Sequence, residues 1–512
     1  MRLILGITVV LVITGVALLA AEIAVRIVDG YRLASIRLEV SRDRRPRVAF
    51  VGRPGSQKWR GDADALAYVR GLAVADGVNR EWFTLQPPDR PVVPPDPELE
   101  ARARRYTGAE LPANYEWNRN AVISGVCRGE YRNLVGFDQF SDLYVFNATD
   151  GSEFPTFRFL QNASYPSGLR TNRFGWRSPK MAVNKPARTI RIAFVGASTT
   201  VSPHAEPYSY PELAGFWLDK WAASRGLDVS IEVINAGREG LTSRSFQAVV
   251  RQELAPVEPD LVVYDTGSNQ FWPSDFLSTP VPRRSRTLGL VRRGLVLYSA
   301  LANRALFMLR KSIESGTEPS KPGVTVDWPR DLDERDPDLN DPRLPIALPT
   351  ILKDLETIRR TVEADSGHLV MTSFAWLVYA GMVVDPARDA DLLSYLNTTF
   401  WPFTYAHMRR FLDFQARVFM KYASLHHLDF IDVASVYPRD PRLFDDAIHM
   451  THAGIHLQAW IVFNGLVPII ERRVASHEWP QSARRNLSAH PAFTGRRLMP
   501  RSEILAACDR LH

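Results

Sequence analysis

The stretch Arg191-Ile192-Ala193-Phe194-Val195-Gly196-Ala197-Ser198-Thr199-Thr200 constrains this chain more than any other. A short apolar run closed by a glycine suits a strand buried on both faces of a parallel sheet. A small-residue turn follows, and a helical pattern begins at about Glu206. In open α/β sheets ligands bind outside the carboxyl ends of the strands. The first turn of a helix also leaves backbone N–H groups without intrahelical acceptors. Ser198 therefore has the position of a nucleophile, with an oxyanion donor on its own N–H. An ordinary N-cap or ST-turn serine has the same local sequence, so the rest of the chain must decide.

From about residue 188 onward, strand and helix patterns alternate. Strands are predicted at 190–195, 229–234, 261–264, 369–372 and 430–433, several of them rich in Val and Ile. Helices are predicted at 211–224, 243–254, 350–364, 405–426 and 452–472. In the fourth, Phe411, Phe414, Val418, Tyr422 and Leu425 recur on one face at helical spacing. Such alternation implies a parallel sheet covered by helices on both faces. An insertion at about 275–349 interrupts it. Its segment 287–311 is basic and amphipathic, expected as a helix packed on the main domain, with a lid or a membrane-lying surface as alternatives. Its Pro/Asp-rich part, 324–345, is expected as a solvated loop.

The flanks differ in texture. Residues 3–21 are an uncharged apolar run, long enough as a helix to cross a hydrocarbon core of about 30 Å. A cleavable signal peptide has an apolar stretch of about 7–15 residues and a small-x-small cleavage site; this run is longer and lacks the site. Residues 1–28 are thus expected as an uncleaved transmembrane anchor. Arg26, Arg32 and Arg37 after the span, against Arg2 before it, bias the charge weakly against an exported body. Residues 29–168 form a lead-in with a strand-like run at 48–51, a stiff proline-rich linker at 87–97 and strand–turn pieces at 154–159 and 168–176. Residues 473–512 read as a basic, irregular tail.

Composition excludes several classes. The 512 residues carry a formal net charge of +7, but the arginines are scattered and no nucleic-acid-binding signature is present. Two cysteines, Cys127 and Cys508, exclude a disulfide scaffold and a cysteine-based metal site. No P-loop, dinucleotide-binding glycine fingerprint or zinc-protease motif occurs.

A serine nucleophile needs a base, a group to orient the base, and donors for the oxyanion. Asp446-Ala447-Ile448-His449, just before the last predicted helix, can present a carboxylate and an imidazole to the same side of a tight turn. His452 and His456 lie on the following helical pattern and are expected to be structural or surface groups. Asn235-Ala236-Gly237 follows the second strand, and glycine there lets the backbone N–H approach a substrate. Gly267-Ser268-Asn269-Gln270 follows the third, and the Asn269 amide can donate to the same oxyanion. Each fragment alone suits an ordinary turn. Together they place Ser, Gly, Asn and His at successive sheet edges.

In these four blocks the chain resembles the SGNH (GDSL-type) hydrolases, over about residues 169–472 and in the family's order. The run Arg170-Thr171-Asn172-Arg173-Phe174-Gly175-Trp176-Arg177 also looks like the segment preceding the first block in many exported bacterial members. The resemblance implies a three-layer α/β/α, flavodoxin-like fold, with Ser198 as nucleophile and His449 as base oriented by Asp446. It implies an oxyanion hole of the Ser198 N–H, the Gly237 N–H and the Asn269 side chain, with no metal or cofactor. Ala197 and Gln270 replace two aspartates of the family pattern, which implies altered loop geometry. Classical α/β-hydrolases use Gly-x-Ser-x-Gly with a distant His, whereas Thr200 stands at the second glycine and Asp446 and His449 are close in sequence.

The expectation is a serine esterase on the bacterial inner membrane, single-pass, with a periplasmic body, acting on O-acyl esters of envelope or extracellular glycans or lipids. No nucleic-acid partner is expected. An O-acyltransferase that modifies a polysaccharide, or a degenerate glycan-binding module, has the same motifs.

Overall fold

A computed structural model of the chain describes residues 2–29, 62–85, 181–202, 208–238, 241–267, 323–379, 402–444 and 446–484, with single residues or short pieces between them. The predicted strand-like pieces at 48–51 and 154–159, both cysteines and most of segment 287–311 lie outside the described residues.

The centre is a five-stranded parallel sheet. Its strands are β1 (Thr189–Gly196), β2 (Ser230–Asn235), β3 (Leu261–Asp265), β4 (His368–Thr372) and β5 (Asp429–Ile431). Their spatial order is β2-β1-β3-β4-β5. Every residue of β1 and β3 is buried, as the unbroken apolar runs require of central parallel strands. The order reverses at β1, so the crevice at the carboxyl ends of β1 and β3 is the topological switch point where such sheets bind ligands.

Right-handed crossovers place the helices. Moving from β1 to β2 puts α4 (Tyr210–Ser224) on one face. The opposite traverse puts α5 (Ser243–Val249), α6 (Leu348–Ala364) and α7 (Tyr405–Leu425) on the other. After β5, the long α9 (His452–Ala475) returns to pack on α4. The short helices α3 (Ser198–Val201) and α8 (Val433–Val436) follow β1 and β5 directly. The layers are those the alternating pattern implies.

Trp217 of α4 and Trp460 of α9 meet edge to face, with centroids 5.1 Å apart, and Phe83 packs against both. Phe83 follows α2 (Asp62–Val69), whose Ala65 and Val69 are buried in the same cluster. Part of the lead-in is therefore core, tied down by Trp217 Nε1 donating to the Trp82 carbonyl (2.9 Å).

Two polar segments are packed on the body in part. The Pro/Asp-rich stretch is a loop with many exposed residues, as expected, but it is tied to the body at points: Trp328 stacks on Phe411 of α7, Leu344 is buried, and Glu334 and Asp336 pair with Arg410 and Lys421. Trp328 lies against both Phe411 and Phe414 of α7, with centroids at 5.9 and 5.2 Å, a contact that local composition does not reveal. The tail is irregular over 476–484, as expected, yet it packs on the body: Trp479 is buried and the Gln481 N–H donates to Asp260 at the lower sheet edge.

The N-terminal α1 (Arg2–Asp29) contains a stretch, Thr8–Ile27, long and apolar enough to cross a membrane, with its side chains largely exposed. Helix α9 meets the same length and composition test, yet most of it is buried in the body. Burial separates the two.

Candidate active site

β1 ends at Gly196, Ala197 caps α3, and Ser198 is its first residue. The expected helix onset near residue 206 is thus preceded by one extra helical turn. A Cβ on Gly196 would overlap Thr200 Oγ1 and the Asp265 carbonyl oxygen, so only glycine permits this abrupt strand-to-helix turn. The first intrahelical bonds of α3 run from Thr200 N and Val201 N to the Ala197 carbonyl. The N–H of Ser198 precedes them, which leaves it without an acceptor inside the helix.

The loop 446–449 crosses in front of Ser198. His449 Nε2 lies 2.8 Å from Ser198 Oγ, and His449 Nδ1 lies 2.6 Å from Asp446 Oδ2. With the Nδ1 proton donated to the carboxylate, Nε2 is left to accept from the serine hydroxyl. Asp446 Oδ1 accepts from the backbone N–H of Ile448 (2.8 Å) and His449 (2.7 Å). Burial pushes the Asp446 carboxyl up, but the facing His449 and these N–H groups outweigh it and hold it below the usual carboxylate range. The loop is pinned by Leu377 N donating to the Ala447 carbonyl (3.1 Å) and by a bridge between Phe444 and Met450.

Gly237 and Asn269 follow the ends of β2 and β3, the two strands that flank β1. The Gly237 N–H donates to Asn235 Oδ1 (3.0 Å), and Asn269 Nδ2 donates to the Leu241 carbonyl (3.3 Å). These two of the three expected oxyanion donors therefore have intramolecular acceptors. A Cβ on Gly237 would lie 2.7 Å from Val201 N, which accounts for the glycine by close approach to α3. His456 is buried between Phe83 and Trp217, with ring centroids at 4.5 and 5.1 Å, and stands in the core away from the sheet edge.

Several groups outside the expected triad and oxyanion donors brace Ser198. Asn235 Nδ2 donates to the Thr200 carbonyl (2.8 Å) and to Ser209 Oγ (3.0 Å), joining α3 to the start of α4. Arg177, fully buried, donates to the carbonyls of Val201 (3.1 Å) and Ser202 and pairs with Glu212 (3.1 Å). Glu212 also accepts from Ser209 N and Oγ, both at 2.8 Å. Beneath the turn, buried Asp265 accepts from Tyr210 OH (3.0 Å), Thr372 Oγ1 (3.0 Å) and Thr200 Oγ1 (3.3 Å). Burial raises the Asp265 carboxyl above its ordinary range, and these hydroxyls only partly offset that. The sole signal for Arg177 was its place in the 170–177 run; the other contacts are made across the fold.

Chemically, the arrangement offers a hydroxyl, an imidazole able to take its proton and a buried carboxylate to orient the imidazole. Among the described residues, no group of three or more His, Cys, Asp or Glu side chains converges as a metal site would.

No family model matches the chain. No curated protein matches it either. Among solved structures it is similar to an acetylxylan esterase from Geobacillus stearothermophilus, at 14% identity and a TM-score of 0.31, covering 56% of this chain and 96% of the other. It is also similar to a GDSL-like lipase from Bacteroides thetaiotaomicron, at 12% identity and a TM-score of 0.26, covering 57% of this chain and 92% of the other. An alpha/beta hydrolase from the metagenome of Lake Arreo matches at 14% identity and a TM-score of 0.29, over 54% of this chain and 94% of that one.

Proposed function

We propose that the chain is a serine ester hydrolase of SGNH type that works through an acyl-enzyme on Ser198. The observation that carries this reading is the line Ser198 Oγ–His449 Nε2–Asp446, with separations of 2.8 and 2.6 Å. Ser198 Oγ attacks the ester carbonyl while His449 Nε2 takes its proton; Asp446 holds the imidazole in the required tautomer and stabilises the imidazolium. The proton passes to the leaving alkoxide, the C–O bond breaks, and the alcohol departs. Water, deprotonated by His449, then attacks the acyl-Ser198 ester and releases the acid. The oxyanion is met by the Ser198 N–H together with Gly237 and Asn269, each sharing or exchanging its intramolecular bond when substrate is bound. Catalytic hydrogen bonds that tighten only in the complex are common.

The exposed apolar span of α1 supports anchoring to the bacterial inner membrane. With the body in the periplasm, the substrate would be an O-acylated glycan or lipid of the envelope. The test is labelling of the detergent-solubilised full chain by a fluorophosphonate probe. Labelling lost in Ser198→Ala and reduced in His449→Ala supports an activated serine; a folded parent that does not react overturns the reading. Products formed from an acylated glycan, with and without an acceptor glycan, then separate hydrolysis from acyl transfer.

A further inference from the structure

The apolar span of α1 carries two charged side chains near its C-terminal end, Glu22 and Arg26, and both are turned onto the insertion. Glu22 Oε1 accepts from the Ala300 N–H (2.8 Å), and Glu22 Oε2 accepts from the Leu301 N–H (2.9 Å) and Ser299 Oγ (2.8 Å). Arg26 Nε donates to Glu22 Oε1 (2.7 Å), and Arg26 Nη2 donates to the Tyr298 carbonyl (2.8 Å). Ser299 Oγ also accepts from the Ala302 N–H (3.0 Å), so Ser299 caps a helical turn over 300–302 whose first N–H groups, of Ala300 and Leu301, face the carboxylate. The Arg26 side chain is 8% exposed and that of Glu22 18%, whereas Val9, Val10, Val12, Ile13, Val16 and Leu19 are each about half exposed or more.

These contacts have a consequence if α1 crosses a bilayer, the reading on which this inference rests. The span Thr8–Ile27 has 20 residues, which at about 1.5 Å per residue matches a hydrocarbon core of about 30 Å. Glu22 then lies about 7 Å inside the boundary that Ile27 marks. An ionised side chain there needs partners that satisfy it. The structure supplies them from one side, through the Ser299 hydroxyl and the backbone N–H groups of Ala300 and Leu301, at sequence separations of 277, 278 and 279.

We propose that residues 298–302 are a second point of attachment to the lipid bilayer, seated at its headgroup boundary against the end of α1 and clasped there by Glu22 and Arg26. The anchor is then no loose tether. The body meets the bilayer at two places and is held in one orientation. The flanking sequence, with Leu295, Val296 and Leu297 before the turn and Leu306, Phe307, Met308 and Leu309 after it, has the apolar composition of a segment at such a boundary.

The test is spin-label depth measurement on the full chain in vesicles of phosphatidylethanolamine and phosphatidylglycerol, with Cys127 and Cys508 replaced by serine. Nitroxides are placed singly at Val16→Cys, Tyr298→Cys and Arg360→Cys, and relaxation by oxygen is compared with relaxation by a water-soluble nickel chelate. The Tyr298 side chain is half exposed and its contact to Arg26 is through the backbone, so the label leaves the clasp intact. The expected result is a Val16 label deep in the hydrocarbon, an Arg360 label in water and a Tyr298 label at the boundary. Adding Glu22→Ala should shift the Tyr298 label into water while the Val16 label stays deep. A Tyr298 label as water-accessible as that at Arg360, with Val16 deep, overturns the proposal, and so does a Tyr298 label unmoved by Glu22→Ala. A Val16 label found in water overturns the membrane-spanning reading itself. Circular dichroism of each variant confirms that the body is folded.

Discussion

The guanidinium of Arg177 donates to the carbonyl of Val201, the last residue of the four-residue helix that begins with Ser198. A helix this short cannot hold itself: its closing carbonyls have no intrahelical donors, and an isolated turn is unstable in water. Arg177 and Asn235 supply those donors from outside, and they thereby set where Ser198 stands.

Arg177→Met should therefore slow fluorophosphonate labelling of Ser198, by about 10²-fold if α3 shifts by about 1 Å. It also leaves Glu212 buried without its charge partner, which costs about 3–5 kcal/mol of stability. Labelling rates at a temperature well below the variant's own melting transition separate the two effects.

Asp446→Asn removes the carboxylate that fixes the His449 tautomer, and the turnover number should fall by about 10⁴-fold. Steady-state turnover of a short-chain aryl ester measures this directly. Substrate binding that does not need the imidazole proton should change little.

The two buried aspartates predict opposite pH dependences. The folded-state pKa of Asp446 is lowered, so its contribution to stability is present above its unfolded pKa of about 3.9 and is lost as pH falls through the folded value. That of Asp265 is raised, so its contribution is full below about pH 3.9 and is lost as pH rises through the folded value. Urea unfolding across pH should show the stability of Asp265→Asn rising relative to the parent as pH increases over that window. Asp446→Asn should fall behind the parent as pH rises through its own, more acidic window.

Gly237→Ala would bring a methyl group to 2.7 Å from Val201 N and 3.0 Å from Asn235 Oδ1. Relief requires α3 or the 235–237 turn to move. Labelling of Ser198 should drop sharply, with a loss of about 1–3 kcal/mol in unfolding free energy. Ala236→Gly, one residue away, is the control: it introduces no overlap.

Much of this architecture is legible in the sequence. The apolar runs of β1 and β3 encode double-sided burial, the 3.6-residue spacing in α7 encodes its core face, and the four-residue span from Asp446 to His449 places acid and base on one turn. Those signals are local, because strand and helix periods repeat within a window of a few residues. Ser198, Gly237, Asn269 and His449 stand out as candidates in the sequence because each lies beside an element that such windows reveal.

What tertiary structure alone decided is which distant groups meet. Ser198 and His449 are 251 residues apart, and only the strand order β2-β1-β3-β4-β5 with right-handed crossovers brings their side chains to 2.8 Å. The hydroxyls around Asp265 come from α3, α4 and β4, and the Trp328 that turns a polar stretch into packed structure needs the face of α7. Gly237 follows β2, as its sequence position implies, but the acceptor of its N–H, Asn235 Oδ1, depends on a side-chain rotamer that no periodicity encodes. Sequence pattern determines which faces must be buried; packing of one face against another determines the partners, because a buried polar group takes whatever donor or acceptor the neighbouring element presents.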